Sequence, residues 1–176
     1  MSEPEQGRGL SAVDEVVVRA ASYDGTGLAA HDARPTLGLA ILTCMDARVD
    51  PGDIFDLHAG EAHVVRSAGA LPTPDVIEAL AISQSKGGTQ EIMVVHHTDC
   101  VALGHLAPGT TPEETARQTV RRLRREQRLP HRDRIRGFVF RLDTGTLMEV
   151  GEVPEAPSRA ATARYGPLGQ RREPGG

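Results

Sequence analysis

A chain of 176 residues and 18.8 kDa is one domain's worth of protein, and 39% hydrophobic with 25% charged residues is a globular composition. The formal charge of -4 argues against a general nucleic-acid binder, and no apolar run approaches the roughly 20 residues that span a bilayer, so neither nucleic acid nor membrane is an expected partner. The polar start lacks the apolar stretch of a secretory leader, which makes the cytoplasm the expected location and keeps Cys44 and Cys100, the two cysteines, as reduced thiols.

Residues 1–10 read as a disordered lead-in. Ser11 is an N-cap with Asp14 completing a capping box, and Val13, Val16, Val17 and Ala20 follow as one apolar stripe, to be packed on the parent domain or on a partner chain. Residues 37–43 form a continuous apolar run, the pattern of a strand buried on both faces, and it ends at Cys44. A turn at Pro51 and Gly52 precedes a short helical stretch at 53–57. Residues 63–66 predict a second strand, and Thr73, Pro74 and Asp75 open a helix that stops at Gly87 and Gly88. Residues 91–96 predict a third strand, which delivers His97 and Cys100. Thr111 and Glu114 form a capping box around Pro112, starting a helix to about Gln127 whose Arg121, Arg122, Arg124 and Arg125 read as a solvated face. Residues 137–143 and 146–150 predict a hairpin turned at Thr144 and Gly145. One domain is therefore expected at 11–153, with a disordered tail at 154–176. Strands alternating with helices imply an α/β fold: a mainly parallel central β-sheet flanked by helices, closed by a C-terminal hairpin or edge strand.

Both cysteines and His97 follow directly from the C-terminal ends of predicted parallel strands, the edge at which open α/β sheets build their sites. Two thiolates and an imidazole suit zinc by softness and tetrahedral preference, and three protein ligands leave a fourth position open, as in catalytic sites. His96 precedes His97 in the strand and is expected on the opposite face; Asp46 and Asp99 are the nearby groups able to close the site. In an extended segment Cys44, Asp46 and Arg48 share one side, and Arg48 can hold the Asp46 carboxylate in a bidentate pair that lowers its pKa. A phosphatase-type cysteine lacks its glycine cradle here, whereas a cysteine–histidine hydrolase pairing Cys44 or Cys100 with His97 or His63 is a rival reading. His31, His58, His63, His105 and His131 are scattered and read as solvated or structural, one of them available as a proton relay.

The C-x-D-x-R stretch from Cys44 to Arg48, the Gly60-to-Arg66 segment followed by Ala68 and Gly69, and the H-x-x-C of His97 and Cys100 resemble the β-class carbonic anhydrases in order and separation, over roughly residues 36 to 150. The compact length resembles the short prokaryotic branch. The resemblance implies one Zn2+ per chain on Cys44, His97 and Cys100, with Asp46 and Arg48 as the catalytic dyad. It implies reversible hydration of CO2 to bicarbonate and a proton by a homodimer or higher homo-oligomer. Asp46 would accept a hydrogen bond from the attacking hydroxide, and as a conditional fourth ligand it would swing onto the metal in a closed state. Ser67, Ala68 and Gly69 are the corresponding substrate-pocket residues. Two positions depart from the family pattern: Val101 stands where glycine usually follows the second cysteine, and Ser67 replaces an asparagine. Hydrolases of carbonyl sulfide or carbon disulfide share the scaffold and zinc site, and a silent zinc-binding regulatory module with Asp46 fixed on the metal is the non-enzymatic alternative.

Overall fold

The computed structural model describes residues 11–151. The expected lead-in at 1–10, the whole of the expected tail at 154–176 and the last two residues of the expected domain lie outside the described residues. Helix α1 (Ala12–Ala20) starts as the sequence implies: the Ser11 side chain accepts from the Asp14 amide and the Asp14 carboxylate accepts from the Ser11 amide. Its stripe does not pack on the parent domain, since Val13, Val16 and Val17 are 71%, 60% and 62% exposed.

Five strands form one sheet in the order β2-β1-β3-β4-β5: β1 (Leu39–Cys44), β2 (Ala62–Ser67), β3 (Glu91–His97), β4 (Ile135–Arg141) and β5 (Thr146–Glu149). The first three pairings are parallel and β4 pairs antiparallel with β5, so the sheet is mainly parallel with the C-terminal hairpin that the sequence predicts. Parallel neighbours need crossovers, and helices supply them: α2 (Pro51–Phe55), α3 (Pro74–Ser85), α4 (Val101–Leu106) and α5 (Pro112–Arg124).

Alternate strand residues Ala40, Leu42, Ile92, Val94 and Ile135 present one sheet face to Val76, Ile77 and Leu80 of α3 and to Val120 and Leu123 of α5. Each fully buried leucine or isoleucine there contributes roughly 1.5–3 kcal/mol. The chain runs from β1 to β2 on one side and returns past β1 to β3 on the other. That reversal opens a crevice at the carboxyl ends of β1 and β3.

Several local expectations are revised. Pro51 is not a turn residue before α2 but its first residue, capped by Asp50, whose side chain accepts from the Gly52 amide at 2.8 Å. Thr73 caps α3 by position only, with no side-chain bond. Helix α5 ends at Arg124, short of Gln127. Of its four arginines Arg124 is not part of a solvated face: it donates to the Ile135 carbonyl at 2.7 Å and ties α5 to β4. Helix α4 and the 3-10 turns Leu28–Ala30 and Ala68–Ala70 were not expected. His63 proves structural: its Nδ1 bonds the Ser83 hydroxyl at 2.8 Å and its Nε2 the Ala33 carbonyl at 3.2 Å, joining β2, α3 and the segment before β1.

Candidate metal centre

Cys44 is the last residue of β1 and His97 the last of β3, strands that are hydrogen-bonded neighbours. Cys100 is the N-cap of α4, directly after a bend at Thr98 and Asp99. The three ligand atoms lie within 4.8 Å of one another, with the two Sγ atoms 3.7 Å apart. A disulfide needs about 2.05 Å, and both thiols are free. Cys44 and His97 are buried and Cys100 half-buried.

The electrostatics of this cluster call for a cation. Burial pushes the Cys100 thiol up, and the neighbouring Cys44 adds to the rise. Two thiolates at that spacing repel unless a cation sits between them. His97 donates its Nδ1–H to the Thr98 carbonyl at 2.9 Å, which fixes the tautomer and turns the Nε2 lone pair inward. That Nε2 is buried without a hydrogen-bond partner, a costly state for a polar atom unless a ligand takes it. His96 stays out of the cluster; burial, and secondarily His97, pushes its pKa down to about 4.

Asp46 and Arg48 come together as predicted, by a different geometry. The segment after Cys44 is not extended but turns: the Val49 amide donates to the Asp46 carbonyl at 3.0 Å, and the Arg48 amide donates to Asp46 Oδ1 at 3.0 Å. This Asx-type turn brings a side chain two residues away back onto the carboxylate. Arg48 then donates Nε–H to Oδ1 at 3.0 Å and Nη2–H to Oδ2 at 2.8 Å, a bidentate pair. Those bonds hold the Asp46 carboxyl well below the usual carboxylate range and raise the Arg48 pKa. Asp46 Oδ2 lies 3.9 Å from His97 Nε2, so the dyad borders the ligand cluster.

Arg66 is a positioning residue that residue-by-residue reasoning left without a role. It donates to the carbonyls of Cys44 at 3.0 Å, Asp46 at 2.7 Å and Val49 at 2.8 Å, clamping the turn that carries the dyad. An arginine one position before the end of β2, in the Gly60-to-Arg66 segment that carries the family resemblance, is the sequence signal for it. Ser67 is the register partner of Cys44, and its hydroxyl donates to the Leu71 carbonyl at 3.2 Å. Gly69 has φ +66°, and a Cβ there would stand 2.9 Å from Leu103 Cδ2, so a larger residue meets both a left-handed backbone and the side chain of α4. Val101 is the first residue of α4 and 79% exposed.

A family model described as carbonic anhydrase matches residues 39–136. Over 136 residues the chain is 40% identical to beta-carbonic anhydrase 1 of Mycobacterium tuberculosis, covering 66% of this chain and 83% of that one. It belongs to the β-class carbonic anhydrases. A carbonic anhydrase crystal structure from Streptococcus mutans shares the fold of this β-class member with a TM-score of 0.64 and 31% identity, covering 79% of this chain and 93% of the other. A carbon disulfide hydrolase of Saccharolobus solfataricus is 38% identical over 90 residues, covering 50% of this chain and 42% of its own. β-Class carbonic anhydrases are zinc enzymes, and the paired thiols with the unpartnered His97 nitrogen form a donor set that fits zinc.

Proposed function

We propose that Cys44, His97 and Cys100 hold one zinc ion per chain, and that Asp46 and Arg48 are the catalytic pair in the reversible hydration of CO2 that family membership assigns to this chain. The observation that carries the reading is the Asp46 carboxylate, fixed on both oxygens by Arg48 and 3.9 Å from the open nitrogen of His97. Zinc, when bound, supplies the Lewis acidity that brings the pKa of water to about 7. Asp46 stays ionised and is therefore an acceptor only, so it takes a hydrogen bond from the attacking water and points a lone pair of that oxygen at the carbon of CO2. Arg48 holds Asp46 in that orientation and keeps it from turning onto the ligand cluster, where it would occupy the fourth position and rest the enzyme. Ser67, Ala68 and Gly69 bound the substrate side, a role supported by the pairing of Ser67 with Cys44. The functional unit is the domain at 11–153. The exposed valines of α1 fit a second copy of the chain, hence a homodimer or higher homo-oligomer, in the cytoplasm where both thiols remain reduced. No helix among the described residues is long and apolar enough to cross a membrane.

The test is stopped-flow CO2 hydration across pH, with zinc measured on the same sample. Zinc near one per chain and activity rising toward alkaline pH are expected; full activity in metal-free protein would overturn the reading. The similarity to carbon disulfide hydrolases favours a second reading, the hydrolysis of a linear sulfur analogue at the same site. Parallel assays with CO2, carbonyl sulfide and carbon disulfide separate the two.

A further inference from the structure

The guanidinium of Arg48 has two edges, and the dyad uses only one. Nε and Nη2 face Asp46. On the other edge Nη1–H donates to Asp99 Oδ2 at 2.9 Å, and Nη2–H donates to the Asp99 carbonyl at 3.0 Å. Every nitrogen of Arg48 therefore has an acceptor, and Asp99 supplies two of the bonds. Asp99 lies between His97 and Cys100 in left-handed backbone, φ +55°, a conformation that few residues other than glycine, asparagine and aspartate adopt. That turn presents its carbonyl and its carboxylate to the same guanidinium. The Asp99 side chain is 80% exposed and that of Arg48 47%, so an ion pair of this kind adds little to folding. Its effect is on where Arg48 stands.

We propose that Asp99 is a positioning residue for the reaction: it anchors the outer edge of Arg48, and through Arg48 it fixes the Asp46 carboxylate beside the ligand cluster. The inference rests on the CO2-hydration reading for its kinetic consequence but not for its structural one. Without the Asp99 carboxylate the guanidinium keeps only the backbone carbonyl on that edge, and Asp46, already 3.9 Å from His97 Nε2, gains freedom to turn inward. The loop bearing two candidate ligands and the turn bearing the dyad are thereby coupled through one arginine.

The informative variants respect the backbone. Asp99→Gly removes the carboxylate where φ is positive, and Asp99→Asn keeps one acceptor oxygen in a residue that tolerates that region. In zinc-loaded protein we expect Asp99→Gly to retain zinc, to lose about fivefold in kcat with KM within about twofold, and to speed solvent exchange of the Arg48 Nε–H, read by 15N NMR, by about tenfold. Asp99→Asn should fall between wild type and Asp99→Gly on both scales. Should the glycine variant not fold, Asp99→Ser, too short to reach Arg48, takes its place. An unchanged kcat with an unchanged Arg48 exchange rate in the truncation would overturn the proposal, as would an asparagine variant no better than the truncation. If the wild type does not hydrate CO2, the functional reading fails, while the exchange rate still tests Asp99 on its own.

Discussion

Arg48 and Arg66 are separated by eighteen positions and serve the same turn by different chemistry. Arg66 takes three backbone carbonyls and fixes the path of the chain from Cys44 to Val49. Arg48 takes carboxylates and fixes a charge. Replacing Arg48 by alanine should therefore leave zinc near one per chain, since no ligand is removed, while kcat falls about 100-fold or more. Metal analysis and stopped-flow hydration on one preparation check this, and a fully active variant would remove Arg48 from the mechanism. The Asp46 carboxyl, held low first by its hydrogen bonds to Arg48, has a defined pH signature. A depressed carboxyl contributes its stability above the ordinary value of about 4 and loses it as pH falls toward the native one. The melting-temperature difference between wild type and Asp46→Asn should thus be flat from about pH 5 upward and change only in acid below about pH 4. A difference that varies between pH 6 and 8 would mean another group controls the pair.

At the scale of elements, β1 and β3 were legible because their residues are apolar almost without interruption, as burial on both faces requires. The caps of α1 and α5 were legible because a capping box is a local hydrogen-bond exchange that needs no partner from elsewhere. Helix α4 was not. It has six residues, begins with branched Val101 and contains Gly104, so nothing in its own propensity announces it. It forms because Leu103 is buried against the 3-10 turn at Gly69. Gly69→Ala should cost about 2–3 kcal/mol, from the left-handed φ and from the collision with Leu103 together, as read by chemical denaturation. Loss of zinc affinity should accompany it, because α4 begins at Cys100.

For the whole molecule, α1 is the element without a place. Every one of its residues is exposed, and its valines form the stripe that the sequence had already set apart. Changing Val13 and Val17 together to aspartate should leave the fold of the domain intact and shift the protein toward monomer in sedimentation-velocity runs. An unchanged oligomer distribution would show that other surfaces hold the copies together. The sequence by itself determined which cysteine and histidine donors are offered, the places of Cys44 and His97 at strand ends and the pairing of Asp46 with Arg48, because strand patterning, capping and short-range motifs act within a few residues. Only the tertiary structure decided that β1 and β3 lie side by side, that Asp46 and Arg48 meet through a turn, and that Asp99 and Arg66 hold them there. The turn apart, those contacts join residues 17 to 52 positions apart, and their cause is the packing of the whole sheet rather than any local preference.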